Sequence, residues 1–331
     1  MNILKKVSLT ALGTSLIATS AFAGSMDVTG SAGITLANQD KTNKGNGLSM
    51  TDEITFTGSG ELDNGLTVTV SMQLDDNAGS TASGSTHYMD NRSVKIESDF
   101  GTLTFYGHGG DTAFSMKDDT TPTAYGEAWD IITNSPDNGG VTATASTNFN
   151  SIGSAGSNNM FHYSNSDLMD GLKLSLSYVP SGTGEASSST DYAVEYTGVE
   201  GLTLGYAQGE NNATAGSETD NDTMYVKYAY GPITVGVQES EIDASTAAAT
   251  DEFSAAGITY QVNDDLTIGY NQSEYDNAGT TTDEESTNLS VSYTMGGMTV
   301  AAAFVSVDNQ GGSSSTKDDV SGYEIDVSFA F

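Results

Sequence analysis

The sequence predicts an all-β chain, an up-and-down antiparallel meander of sixteen strands, and three observations predict it. Apolar and polar residues alternate through segment after segment. Leu66, Val68, Val70, Met72 and Leu74, for example, oppose Thr67, Thr69, Ser71 and Gln73. The connectors between such segments alternate in length, short then long. Glycine is abundant at 38 residues, proline scarce at 4 and cysteine absent. Turns are therefore plentiful, and neither disulfides nor thiolate metal sites hold the chain.

The first 23 residues form a separate element. Lys5 and Lys6 give a basic start, Val7 to Ala21 are mostly apolar, and Ala21-Phe22-Ala23 fits an A-x-A cleavage site. This order describes a secretory signal peptide, with a mature chain from Gly24 to Phe331; a buried helix is the alternative. Strands then follow near 26–36, 51–61, 66–75, 88–97, 102–107, 159–165, 172–179 and 191–197. The remaining eight lie near 202–208, 223–230, 233–239, 252–260, 266–274, 287–295, 298–306 and 320–331.

The short connectors are 62–65, 98–101, 168–171, 198–201, 230–232, 262–265 and 295–297. Most carry the Gly, Asn or Asp of a tight hairpin turn. Long ones such as 76–87, 180–190, 209–222, 240–251, 275–286 and 307–319 are rich in Ser, Thr, Asn, Asp and Gly. The interval 108–158 is far longer and holds the only tryptophan, Trp129, with Pro122 and Pro136.

Two architectures accept such a pattern: a soluble sandwich or solenoid, and a closed transmembrane barrel. A soluble barrel points its apolar face inward; a membrane barrel inverts this, with small polar residues lining water. The signal peptide and paired connector lengths favour the membrane form. So do Tyr178, Tyr206, Tyr270, Tyr293 and Phe304, which lie near strand ends where an interfacial aromatic girdle belongs. No apolar run approaches the roughly 20 residues of a transmembrane helix. The formal charge of −34 becomes about −36 without Lys5 and Lys6, and so acidic a chain is unsuited to nucleic acid.

Other chemistry finds little support. His87, His108 and His162 are the only histidines, and none has metal-binding spacing or a nucleophile elbow beside it. A Ser-His hydrolase on the same barrel is the enzymatic alternative. Acid pairs recur in or beside loops at Asp75-Asp76, Asp118-Asp119, Asp251-Glu252, Asp283-Glu284-Glu285 and Asp318-Asp319. Their oxygens suit a surface Ca²⁺, but no EF-hand spacing appears and solvated loop charge is the favoured reading. No catalytic residue, cofactor or dedicated metal site is expected.

The final segment, "YEIDVSFAF" (323–331), puts Tyr323, Ile325, Val327, Phe329 and Phe331 on one face. It resembles the closing strand of bacterial outer-membrane barrels, which ends in Phe and is read by the barrel assembly machinery. "SVKIESDFGTLTFYGHGGD" (93–111) resembles the fourth and fifth strands of general porins with the start of the third loop. In length and strand count the chain is similar to the trimeric sixteen-stranded porins of alphaproteobacterial type. The resemblance implies an outer-membrane homotrimer, embedded in lipid and lipopolysaccharide, that passes small hydrophilic solutes.

In that family the third loop folds into the lumen and narrows it. The matching segment is about 108–145, whose acids Asp111, Asp118, Asp119, Glu127 and Asp130 then face a basic wall of Arg92, Lys95, Lys173 and Lys227. Opposed charges across an aqueous gap set a transverse field that orders polar solutes. The lysines are equally readable as incidental charges on a wet face. Arg92 shares parity with Val94 and Ile96, so it reaches the lumen only through a bulge or a strand end. Family constrictions often use several arginines, whereas the mature chain has one, so the expected pore is acidic and favours cations. The alternatives are a substrate-selective channel for sugars or small nutrients, and a soluble exported β-rich adhesin.

Overall fold

The computed structural model describes residues 26–40, 47–75, 89–117, 119–132, 158–181, 187–212, 218–244, 250–276, 278, 280, 282–312 and 319–331. The expected leader, 1–23, lies outside the described residues, as do Asp76, His87, Asp118 and Asp318. Sixteen strands follow in order: β1 (Met26–Gln39), β2 (Gly47–Glu61), β3 (Thr67–Asp75), β4 (Met89–Ser98), β5 (Gly101–His108), β6 (Met160–Met169), β7 (Leu172–Val179) and β8 (Ser189–Val199). The second half is β9 (Leu202–Asn211), β10 (Thr219–Tyr230), β11 (Ile233–Ala244), β12 (Thr250–Gln261), β13 (Leu266–Asp276), β14 (Glu284–Met295), β15 (Met298–Asp308) and β16 (Val320–Ala330). Each strand pairs antiparallel with its sequence neighbours, and β1 pairs with β16 to close the barrel.

The faces decide between the two architectures. On β7, Tyr178 is 46% exposed and Leu176 41%, while Ser175 and Ser177, which alternate with them, are 3% and 4% exposed. Tyr206, Tyr270, Tyr293, Phe304 and Phe329 are exposed in the same way. Aliphatic and aromatic side chains therefore cover the outside, and small polar ones face the interior. That arrangement suits hydrocarbon, where a closed barrel satisfies its backbone groups between strands and leaves no edge.

The seam runs from Ser31 opposite Ala330 to Gln39 opposite Gly322. Gly30 and Phe331 extend it, each donating its N–H to the other's carbonyl at 2.9 Å. On the other edge of β1, Val28 pairs with Phe56 of β2. Tyr323 lies 6.3 Å from Phe304 between ring centroids. At the short-turn end, 262–265 shows why these connectors need Asn or Asp. Asn263 Oδ1 accepts the N–H groups of Asp265 and Leu266 at 2.9 and 3.0 Å, a side-chain substitute for turn hydrogen bonds.

All sixteen strands stand where the alternation placed them, but many run further at the long-loop end. β10 begins at Thr219, not 223; β11 continues to Ala244, past 239; β14 begins at Glu284, not 287. Most of the added residues are polar, including Asp220, Asn221 and Asp222, so no regular alternation marks them. Ladder hydrogen bonds continue there because strand pairing needs no apolar face once the wall has left hydrocarbon.

Candidate functional site

The chain enters the barrel just after β5. Gly109 has φ +64, the left-handed region that glycine enters without strain, and a Cβ there would meet the Asn91 side chain. Its N–H donates to Asn158 Oδ1 at 3.1 Å, which ties the start of the loop to its far end. From there the described loop residues, as far as Ile132, follow the inner wall from β7 towards β16.

Two apolar contacts seat the loop. Ala113 and Phe114, fully buried, pack with Ala193 of β8 and Ala207 of β9. A short helix, α1 (Ala128–Ile131), is capped by Glu127 and Asp130 in a capping box. Ala128, Ile131 and Ile132 pack on Ala303, Val305, Val307 and Val320. Each large aliphatic or aromatic side chain among them contributes about 1.5–3 kcal/mol when taken fully out of water. A signal for this contact stood in β15, where Ala301, Ala303, Val305 and Val307 make the inner face as apolar as the outer one.

Hydrogen bonds fix the path between them. Ala113 N–H donates to Ser177 Oγ at 3.0 Å. Thr120 donates its N–H and hydroxyl to Gln238 Oε1 at 2.8 and 2.9 Å. Ala124 N–H reaches Ser290 Oγ at 3.1 Å, and Tyr125 donates to Glu324 Oε1 at 2.6 Å. Asn271 donates to Glu127 Oε1 at 3.3 Å, and Asn288 to the Gly126 carbonyl at 3.0 Å.

Three of the five expected acids meet. Asp119, Glu127 and Asp130 bring carboxylate oxygens within 4.8 Å of one another. Glu127 is buried; Asp119 and Asp130 are exposed to the lumen. Burial, then the charges of Asp119 and Asp130, push the Glu127 carboxyl up to about 9. Crowding inside the barrel, then Asp130, raises Asp119 to about 6, against the lowering effects of Trp129 and Lys227. Like charges this close favour keeping a proton, and three such oxygens also offer ligands to a hard cation. Asp111 is exposed at the loop entrance, outside this trio. Asp118 lies outside the described residues.

The expected basic wall is only partly assembled. Lys173 stands opposite Glu195 in register. Lys227 lies 5.4 Å from the centre of the Tyr225 ring. Lys95 pairs with Glu97 of its own strand at 3.1 Å. Arg92 is a correction. It is exposed, stands opposite the outward Met72, and runs its stem beside Gly107 on the outer face. A bulge does lie between Arg92 and Ser93, but it does not turn Arg92 inward.

Sequence reasoning missed the ion pair that ties the loop to the wall. Lys117, on the loop itself, meets Glu195 Oε2 of the wall at 2.5 Å, and Tyr225 donates to the same oxygen at 2.5 Å. Lys117 also lies 5.7 Å from the Tyr225 ring centre. Loop acids facing wall bases is thus too simple a picture, because here a loop base meets a wall acid. The available signal was parity: Glu195 and Tyr225 share the inner face of their strands with Ala193 and Thr223. On the opposite wall, Glu53 accepts from Ser31 at 3.1 Å and from Gln73, and Thr35 donates to Asp326 at 2.8 Å.

The model of the Gram-negative porin family matches residues 8–313. No curated protein sequence matches the chain. Among solved structures, the anion-selective porin from Comamonas acidovorans is 16% identical, covering 93% of this chain and 100% of its own, with a TM-score of 0.63. A mutant of Rh. blastica porin is 16% identical with the same coverages and a TM-score of 0.64. OmpT, an outer membrane protein of Vibrio cholerae, in its trimer form, is 16% identical with the same coverages and a TM-score of 0.63. With a sixteen-stranded closed barrel, an inverted polarity and a loop seated in its lumen, the chain belongs to the Gram-negative porin family and forms an outer-membrane channel.

Proposed function

We propose that this channel passes ions and small hydrophilic solutes by passive diffusion, without bond-making chemistry, and favours cations. The observation that carries the reading is the charge left facing water at the inserted loop. Asp119 and Asp130 are exposed to the lumen, whereas Lys117, the loop's own base, is buried against Glu195. Carboxylates in a confined aqueous passage raise the local cation concentration. The Comamonas relative is anion-selective, so the barrel fold alone does not set the sign; the loop and wall charges do.

We further propose a homotrimer, supported by the trimer form of the Vibrio relative. Lipid and lipopolysaccharide then contact the outward aliphatic and aromatic band, and the seam strand carrying Phe329 and Phe331 is the part read by the assembly machinery. A leader ending at Ala23 is removed on export.

Single-channel recording in planar bilayers under a salt gradient tests the reading. The expected result is discrete conductance steps with a cation-selective reversal potential, reduced in Asp119→Asn and Asp130→Asn. Folded protein that gives no conductance would sink it. Saturable block of the current by one sugar would favour a substrate-selective channel instead.

A further inference from the structure

The inner wall carries glycines where the loop lies closest to it. Gly236 on β11 and Gly257 on β12 are direct cross-strand partners. Gly269 on β13 stands two residues from Asn271, the partner of Gly257, and is itself opposite Ser290. All three point inward, and all three meet the same four-residue stretch of the loop. A Cβ on Gly236 would be 2.6 Å from Pro122 Cδ; on Gly257, 2.5 Å from the Pro122 carbonyl oxygen and 2.7 Å from Thr121 Cγ2. On Gly269 it would be 2.6 Å from Ala124 N. That last approach is what lets Ala124 donate to Ser290.

Glycine inside a strand weakens it and marks close approach of another backbone. Chance placement does not explain three of them in one diagonal under one segment. Gly58 and Gly60 on β2, away from the loop, are different: a Cβ added to either would meet nothing within 4 Å.

We infer that Gly236, Gly257 and Gly269 are positioning residues that set the open cross-section of the channel, by letting Thr121–Ala124 lie flat against the wall. This rests on the reading of the loop as the narrowing element. A methyl group at Gly257 or Gly269 meets backbone atoms, which cannot rotate away. Ordinary carbon contacts need about 3.5–4.0 Å, so the loop must retreat by roughly 1 Å, and the only free direction is into the lumen. At Gly236 the obstacle is mainly the Pro122 ring, which can be trimmed.

The test is single-channel conductance of variants first shown to be folded by heat-modifiable gel migration. Gly257→Ala and Gly269→Ala are expected to lose conductance and to exclude smaller polymers than the wild type. Gly236→Ala is expected to lose less, with recovery in the double variant Gly236→Ala with Pro122→Ala. Gly58→Ala is expected to match the wild type. Conductance at or above wild type in folded Gly257→Ala and Gly269→Ala overturns the inference, as does an equal loss in Gly58→Ala. Should those two fail to fold, absence of rescue by Pro122→Ala decides against it. A wild-type chain with no conductance at all would instead remove the channel reading on which it rests.

Discussion

The wall and the loop inside it are held by different physics. Except where the loop seats, the wall repeats one rule, apolar outward and small polar inward, through strands paired with sequence neighbours or across the closing seam. Pro122, Pro180 and Pro232 all lie outside these strands. The loop obeys no period. Its shape comes from individual contacts: Phe114 on Ala193 and Ala207, Lys117 on Glu195, Tyr125 on Glu324. The wall is therefore intolerant of backbone change and indifferent to many side-chain swaps. The loop accepts Pro122 but depends on particular side chains.

A proline in the closing seam should separate them most widely. Val327 lies between Ile34 of β1 and Val300 of β15. Val327→Pro removes one ladder N–H and leaves a carbonyl unpaired in hydrocarbon, at a cost of several kcal/mol. The expected outcome is loss of the heat-modifiable folded band, whereas Val327→Ile should keep it. A folded, conducting Val327→Pro barrel would contradict the account of the seam.

The next effect should be confined to the loop. Phe114→Ala leaves a cavity between loop and wall and should weaken that seat by about 3–5 kcal/mol. Barrel migration on gels should be unchanged, while open-channel noise increases in bilayer recordings. Quiet channels in Phe114→Ala would show that the apolar seat at α1 and the loop-to-wall hydrogen bonds hold the loop without it.

The same division explains what could be read from sequence. The strands were legible because hydrocarbon on one side and water on the other impose a two-residue period. Their extensions, such as Thr219–Asp222, were not, since polar residues occupy both faces there. The interval that carries the loop was legible from its length and from Trp129; its place in the lumen and part of its acid cluster came from the resemblance. Its partners were not: Lys117 and Glu195 are 78 residues apart, and no local pattern couples them. Arg92 was misplaced because its role rested on resemblance while its parity, shared with Val94, pointed outward.

The smallest effect should come from protons on the loop. Asp119 titrates near 6 and Glu127 near 9, both above the ordinary carboxylate range. A carboxyl raised by folding holds its proton more tightly in the seated loop than in a released one. Its stabilising contribution is thus complete below the ordinary range and is lost as pH rises through the folded value. Ionisation of Asp119 adds a negative charge to the lumen, so cation preference should rise as pH passes about 6. Near 9, Glu127 becomes charged beside Asp119 and Asp130; cation preference should rise again while the α1 end of the loop loosens. Reversal potentials measured across pH should therefore show two steps. Asp119→Asn should erase the lower one and Glu127→Gln the upper. A profile that is flat in the wild type would mean that these carboxyls do not sample the conducting water, and the comparison would then shift all selectivity to the wall, to Glu53, Glu195 and Asp326.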